Sequence, residues 1–240
     1  IPPTLAEFST RPWTIISYAF MHSYQAYLHI IMNMLVLYWF GKLFAEYLGS
    51  DKLIALYILG ALAAAIVYLL MFNTVPYFKE QSNFPGMVGA SGAIFAIMVG
   101  AATLLPDYTF FLLLLGPVRI KYIAAVMIFI SYLGTVGGNS GGNLAHLGGA
   151  LMGFIYVKQL QAGVNWGGWI TAVLDWCKNL FKPRANVKVS YRKSVPKQKT
   201  SAQSKASQEE IDAILDKISD RGYESLSKDE KEKLFNASKK

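Results

Sequence analysis

The sequence predicts an all-α, polytopic transmembrane helix bundle of about five spans, followed by a cytoplasmic helical tail. Three observations predict this fold. Hydrophobic residues make up 53% of the 240 residues and charged residues only 16%, whereas an average soluble domain has about 25% charged residues. Residues 1–157 carry 6 Lys/Arg and 5 Asp/Glu, and residues 158–240 carry 17 and 10. Several apolar segments approach the ~20 residues that a spanning helix needs. An ordinary soluble domain and intrinsic disorder are therefore excluded for the apolar block, and a single cysteine, Cys177, excludes an internal disulfide.

The predicted spans differ in length. The first two are long, whereas the later ones are shorter or rich in glycine, as expected of helices packed inside a bundle. The apolar run Phe110 to Leu115 precedes the fourth span and is broken by Gly116-Pro117. The five spans are residues 26–47, 53–72, 90–105, 122–133 and 144–160. A tight turn with Gly49 joins the first two, and residues 73–88 and 134–142 are predicted loops.

Positive charge predicts the orientation. Four cations lie on one side of the predicted bundle, and the alternate loops carry only Lys79. The four are Lys42, Lys52, Arg119 and Lys121. Because cationic residues favour the cytoplasmic side, the tail is expected in the cytoplasm and the other loops outside. The basic excess directly after the apolar block indicates a membrane-surface patch, and no nucleic-acid partner is predicted.

The tail is predicted in three parts. Residues 161–182 form an amphipathic helix, which should lie in the membrane interface. Residues 183–206 form a basic, flexible linker. Residues 207–240 form a small helical hairpin whose helices open at the capping boxes Ser207-x-x-Glu210 and Ser227-x-x-Glu230, with Gly222 ending the first. The apolar face of the amphipathic helix consists of Trp166, Trp169, Ile170, Val173, Leu174, Cys177, Leu180 and Phe181.

Ser91 and His146 are the candidate nucleophile and general base. Each is adjacent to a row of small residues spaced by four, and such faces let two helix backbones approach closely. The rows are Gly92, Ala96 and Gly100 on the third span, and Ala145, Gly149 and Gly153 on the last. If the two faces meet, Ser91 and His146 come within hydrogen-bond reach. The alternative is a glycine-rich packing seam without chemistry.

The sequence favours a Ser-His dyad over a triad. Between Leu53 and Leu133 the only acids are Glu80 and Asp107, both in predicted loops, so no carboxylate is placed to orient His146. Phe95 follows Ser91 by four residues and shares its face. It either stacks on the imidazole or is plain packing.

His29 and Asn33 are further candidates for the same site. They are spaced i, i+4 on one face of the first span, with His22 seven residues earlier. Donors that converge on Ser91 could stabilise a developing oxyanion. A zinc site is the alternative, and the residue inventory excludes it, because the chain has no His-Glu-x-x-His motif and no cysteine pair.

With these motifs in order, the chain resembles the rhomboid family of intramembrane serine proteases. The resemblance covers about Arg11 to Tyr156. Its motifs are His22…His29-x-x-x-Asn33, Gly89-x-Ser91-Gly92 and Ala145-His146-x-x-Gly149-x-x-x-Gly153, with Pro12-Trp13 before the first span. The resemblance implies Ser91 as nucleophile and His146 as general base. It also implies His29, Asn33 and the Ser91 backbone N–H as oxyanion donors.

The resemblance further implies an intramembrane endopeptidase of a bacterial inner membrane that cleaves single-span membrane proteins and needs no cofactor or metal. Residues 1–160 would be its protease domain. The family's common bacterial core has six spans, so the first span is expected to be missing. The alternative is a catalytically silent rhomboid-like protein that binds transmembrane clients, although such a protein is expected to lose the serine or the histidine and both are present. A small transporter with a broken helix at Gly89–Gly92 would need a repeat symmetry that the sequence does not show.

Overall fold

A computed structural model describes residues 1–23, 27–80, 86–180 and 208–238. The chain forms two units, Ile1–Pro183 and Arg184–Lys240. The described residues of both units are mostly helical, which confirms the helical class of the predicted fold.

The first unit contains helices at all five predicted spans. Its elements are α1 Leu5–Thr10, α2 Thr14–Ser17, α3 Tyr27–Leu48, α4 Ser50–Thr74, α5 Pro76–Lys79, α6 Ser91–Leu104, β1 Thr109–Leu112, β2 Gly116–Arg119, α7 Ile120–Leu133, α8 Ser140–Gln161 and α9 Gly168–Leu180. Short 3₁₀ turns lie at Tyr18–Phe20 and Gly134–Val136. Among the described helices, α3 and α4 have the length and composition to cross a bilayer, and α6 and α7 are apolar but shorter.

Helix α6 lies at the centre of this unit. It has no charged residue, and 11 of its 14 residues are buried, as expected of a helix that is apolar on every side. It packs against α3, α4, α7 and α8. One apolar cluster includes Phe44, Ile97 and Tyr156, and a second includes Tyr18 and Tyr68.

The small-residue faces of α6 and α8 meet, as the sequence predicts. A β-carbon at Gly149 would collide with the carbonyl oxygen of Gly92, and one at Gly153 would collide with that of Ala96. These two glycines therefore let the helix backbones touch, and a side chain at either position would push the helices apart.

Two connections contain structure that the sequence analysis does not predict. The apolar run Phe110 to Leu115 contributes to an antiparallel hairpin of β1 and β2, with Thr109 opposite Arg119 and Leu112 opposite Gly116. The hairpin is an exception to the all-α class. Its turn ends at Gly116, whose φ of +69° suits glycine. The predicted loop 73–88 contains α5, which has Pro76 in its first turn.

The amphipathic helix α9 begins at Gly168, so the prediction that Trp166 lies on its face is wrong. Asn165 Oδ1 accepts a hydrogen bond from the Gly167 N–H at 3.0 Å, which turns the chain before the helix starts. Ile170 is buried, while Trp169 and Trp176 are exposed. Phe181, also assigned to the face, lies outside the described residues.

The second unit contains α10 (Gln208–Arg221), a 3₁₀ turn (Tyr223–Ser225) and α11 (Lys228–Ser238). Gly222 has a φ of +76° between the two helices. Glu230 accepts from the Ser227 N–H at 2.7 Å, and the Glu230 N–H donates to Ser227 Oγ at 3.3 Å. Glu230 also pairs with Lys217 at 2.9 Å. The linker 183–206 and Ser207 of the first capping box lie outside the described residues.

Candidate active site

Ser91 and His146 lie together at one end of the α6–α8 contact. Ser91 is the first residue of α6, and His146 is on the second turn of α8. Ser91 Oγ is 2.9 Å from His146 Nε2, within hydrogen-bond distance. A β-carbon at Gly92 would lie 2.7 Å from Ala64 Cβ of α4 and 3.3 Å from the Ala145 carbonyl oxygen of α8. The absence of a side chain at Gly92 therefore lets α6 approach both helices next to Ser91 and His146.

Two further side chains fix the imidazole of His146. The Phe95 ring stacks on it with centroids 4.1 Å apart and planes 5° from parallel, so the stacking alternative for Phe95 is confirmed. Ser131 Oγ, from α7, lies 3.0 Å from His146 Nδ1. The Ser131 residue is only 2% exposed. Both ring nitrogens of His146 thus have hydroxyl partners.

The sequence analysis does not identify Ser131. A signal was present, because Ser131 lies in the apolar segment 122–133, and polar residues inside membrane spans are functional candidates by default. However, no motif surrounds it. Its link to His146 depends on how α7 packs against α8, which local sequence does not encode.

His29 lies beside Ser91. Its ring lines the same cavity, and a β-carbon at Gly89 would lie 3.6 Å from His29 Cε1 and 3.9 Å from Ser91 Oγ. Gly89 has a φ of +135°, a conformation that side chains rarely adopt. The glycine therefore lets the chain pass between His29 and the start of α6.

Asn33 is buried on α3 and faces His22. Its Nδ2 donates to His22 Nε2 at 3.0 Å, and the His22 and His29 rings meet edge to face with centroids 6.0 Å apart. Burial, and secondarily His29, lower the pKa of His22, which favours the neutral ring that accepts this bond. The structure thus links Asn33 to the site through His22, and Asn33 is not among the residues that line the cavity.

The cavity has a volume of about 290 Å³. It is lined by Tyr18, His29, Met87, Ser91, Asn139 and His146, among others. Because α6 begins at Ser91, the unpaired N–H groups of its first turn point toward this end of the helix and favour negative charge there. Within the described residues, His, Cys, Asp and Glu form no group of three or more that could hold a metal ion.

Comparison with known proteins gives a consistent result. A family model described as "Rhomboid domain" matches residues 9–161. A second model, described as "Family of unknown function (DUF6576)", matches residues 197–240. No solved structure matches the chain significantly.

Three curated relatives illustrate the similarity. The mitochondrial RHOMBOID-like protein 12 of Arabidopsis thaliana is 35% identical over 165 residues, which is 65% of this chain and 48% of the relative. The mitochondrial Rhomboid protein 1 of Saccharomyces cerevisiae is 30% identical over 66% of this chain and 45% of the relative. The rhomboid protease GlpG of Haemophilus influenzae is 26% identical over 64% and 72%. The chain thus spans about half the length of the first two relatives.

Proposed function

The chain belongs to the rhomboid family, and we propose that it is an intramembrane serine endopeptidase that uses Ser91 and His146 as a catalytic dyad. The observation that carries the proposal is the 2.9 Å separation of Ser91 Oγ and His146 Nε2 at the wall of a cavity. A hydroxyl within hydrogen-bond distance of an imidazole, itself held by further partners, is the arrangement of an activated nucleophile.

In the proposed reaction, His146 Nε2 takes the Ser91 hydroxyl proton as Oγ attacks the carbonyl carbon of the scissile peptide bond. The tetrahedral intermediate carries its negative charge on the former carbonyl oxygen. The imidazolium then gives its proton to the leaving nitrogen, the C–N bond breaks, and the amine product departs. Water, deprotonated by His146, hydrolyses the acyl-enzyme and regenerates the Ser91 hydroxyl.

Ser131 and Phe95 are positioning residues in this scheme. For Nε2 to accept the Ser91 proton, the neutral imidazole must carry its proton on Nδ1, and Ser131 Oγ at 3.0 Å is placed to accept that N–H. The Phe95 ring fixes the plane of the imidazole. Together they replace the carboxylate that orients the base in a triad.

For the oxyanion, we propose His29 and the Ser91 backbone N–H as donors, because both lie at the cavity wall. One Asn33 Nδ2–H is bonded to His22 at 3.0 Å. Because Asn33 does not line the cavity, its second N–H donates to the same oxygen only if the side chain turns toward Ser91. In its present position, Asn33 supports the His22–His29 pair.

We propose that the bundle crosses a bacterial inner membrane as five spans, α3, α4, α6, α7 and α8, with the C-terminal tail in the cytoplasm. The location of Lys42, Lys52, Arg119 and Lys121 on the side where α3 and α6 end supports this orientation. His146 is six residues after Ser140, the first residue of α8, and therefore lies about 9 Å along the helix from its outer end. The proposed substrates are accordingly single-span membrane proteins cut near the outer membrane surface.

The test is labelling of the purified protein with a fluorophosphonate serine probe, together with cleavage of a panel of single-span fusion proteins in proteoliposomes. Ser91→Ala and His146→Ala should each abolish both signals, and the double variant should be no worse than either, because residues that act as a unit are non-additive. Ser9→Ala, at an exposed serine of α1, is the matched control and should keep both.

Cleavage that persists in pure Ser91→Ala protein would overturn the assignment. A wild-type protein that binds the fusion proteins but neither cleaves them nor takes up the probe would support the alternative, a catalytically silent rhomboid-like protein that holds transmembrane clients.

A further inference from the structure

The β1–β2 hairpin between α6 and α7 has an apolar tip that no other described residue covers. Leu113 is 99% exposed, Leu114 93%, Phe111 84% and Leu115 74%. No polar side chain occurs from Phe110 to Val118. A contiguous apolar surface of this kind marks a contact site for a membrane or a protein.

The base of the hairpin is polar, in contrast to its tip. Asp107 pairs with Arg119 at 3.2 Å and with Lys121 at 2.7 Å, and all three side chains are exposed. The base therefore carries one more cation than anion. The hairpin is amphipathic along its length, with a charged end and an apolar end about four residues, or ~13 Å, apart.

Two contacts give the position of the hairpin along the bundle. Gly100 of α6 lies against Phe44 of α3, and each is four residues before the end of its helix, so the two helices end at the same level. The Phe110 ring is 5.1 Å from that of Phe40. Phe40 is eight residues before Leu48, the end of α3, or about 12 Å inside it. The first strand therefore lies alongside the bundle and not beyond the ends of its helices.

Lys42 shows which environment surrounds the bundle at this level. It lies two residues after Phe40 on α3, and its side chain is exposed. A charged side chain near a span end reaches the headgroup region. The hairpin is thus at the boundary between headgroups and acyl chains, where an apolar tip can enter lipid while the strand edges stay hydrated. Deeper insertion would leave the unpaired backbone groups of these edges without partners.

We infer that the hairpin is a membrane-contact element in addition to the predicted interfacial helix α9. Its tip inserts shallowly into the acyl region of the leaflet at which α3 and α6 end. Its Asp107–Arg119–Lys121 base lies among the headgroups, where the excess cation suits anionic lipid. The inference rests on the proposed embedding of the bundle, and it assigns to lipid a connection that would otherwise expose four large apolar side chains to water.

The experiment measures the depth of the tip directly. In a Cys177→Ser background, Leu114→Cys is labelled with the fluorophore NBD and reconstituted into vesicles of phosphatidylcholine and phosphatidylglycerol. Quenching by lipids that carry a spin label on the acyl chain is compared with quenching by iodide in water. Leu70→Cys, an exposed position of α4, is the lipid-facing control, and Glu224→Cys, 93% exposed on its side chain in the second unit, is the water-facing control.

The expected result is that the Leu114 label is quenched by shallow acyl-chain spin labels, and that iodide quenches it several-fold less than the Glu224 label. Iodide quenching equal to that at Glu224 would overturn the inference. Protection from iodide without lipid quenching, or crosslinking between two Leu114→Cys chains, would assign the tip to a protein surface and also overturn it. A Leu70 label that lipids do not quench would overturn the embedding itself.

Probe labelling of Ser91 in the same vesicles separates this inference from the proposed function. A lipid-quenched tip in a protein that never reacts with the fluorophosphonate would leave the hairpin inference standing and contradict the proposed catalysis. Full labelling of Ser91 in a protein whose hairpin tip is exposed to water would support the proposed catalysis and contradict the hairpin inference.

Discussion

Removal of the Ser131 hydroxyl tests how the proposed general base, His146, is held in position. Ser131→Ala deletes the partner of His146 Nδ1, which lies 3.0 Å from Ser131 Oγ. In the transition state the imidazole is positively charged, and a hydrogen bond to a charged group is worth about 1.5–3 kcal/mol. At about 1.36 kcal/mol per tenfold change, kcat should fall by roughly 10- to 150-fold. KM should change little, because Ser131 does not line the cavity.

The matched pair for this test is Ser131→Thr against Ser131→Val. The two replacements have the same shape, so any strain from the added methyl group at this position, which is 2% exposed, is common to both. Only threonine keeps a hydroxyl, and it should retain most of the activity, whereas valine should resemble alanine. The assays are single-turnover cleavage in proteoliposomes and the rate of fluorophosphonate acylation, with the thermal unfolding midpoint as a check of folding.

Equal rates for the Thr and Val variants would refute the positioning role of Ser131. So would an Ala variant that reacts with the probe as fast as the wild type. A loss confined to KM would indicate that the substitution disturbs the cavity and not the base.

Three other predictions concern the packing seam, the oxyanion and the tail. Gly149→Ala should lower the unfolding midpoint and the activity, because its β-carbon collides with the Gly92 carbonyl oxygen and overpacking typically costs about 1–3 kcal/mol; an unchanged midpoint would contradict the contact. Asn33→Ala should lower kcat by roughly 10²–10³-fold if its amide is an oxyanion donor, and a smaller loss matched by His22→Ala would limit its role to holding His22. Hydrogen bonds from Ser227 and Lys217 hold the pKa of Glu230 at about 2, below its ordinary 4.5, so its stabilising contribution is present above pH ~4.5 and is lost as the pH falls through ~2. The protection of the described tail helices against hydrogen exchange, measured relative to the rate of an unstructured chain at the same pH, should therefore fall on acidification in wild type and less so in Glu230→Gln.

The apolar block, the helices within it and the Ser91–His146 pair could be predicted because their signals are local. Hydropathy marks each helix, and spacing by four puts Gly92 and Ala96, or Ala145 and Gly149, on one face. Because Ser91 is next to Gly92 and His146 is next to Ala145, the two side chains lie at the same end of the helix pair once these faces meet. Apart from the meeting of the two faces, which small residues favour, each step depends only on helix geometry.

The hairpin and Ser131 could not be predicted in the same way. A run such as Phe110 to Leu115 has no periodicity, so it does not distinguish a strand from a helix. The strand conformation of this run is favoured by the turn that ends at Gly116 and by the packing of Phe110 on Phe40. The second of these is a contact between segments that are distant in the sequence. Asn33 shares the helix face predicted for it, but the direction of its amide is decided by His22, which precedes the helix.

The surroundings of His146 explain why a hydroxyl can stand where a catalytic triad has a carboxylate. An ionised acid placed in the apolar helix α7 would lose its hydration, at an effective cost of several kcal/mol that only excellent hydrogen bonding offsets. The Ser131 hydroxyl carries no charge, so its burial is far less costly, and in the proposed dyad it still accepts the Nδ1–H of the reactive tautomer. What it cannot provide is the full electrostatic stabilisation of the imidazolium. The parallel Phe95 ring compensates in geometry rather than in charge, because it leaves the imidazole little rotational freedom. Orientation by stacking and a neutral hydrogen bond therefore suits the role proposed for His146, a general base inside an apolar bundle.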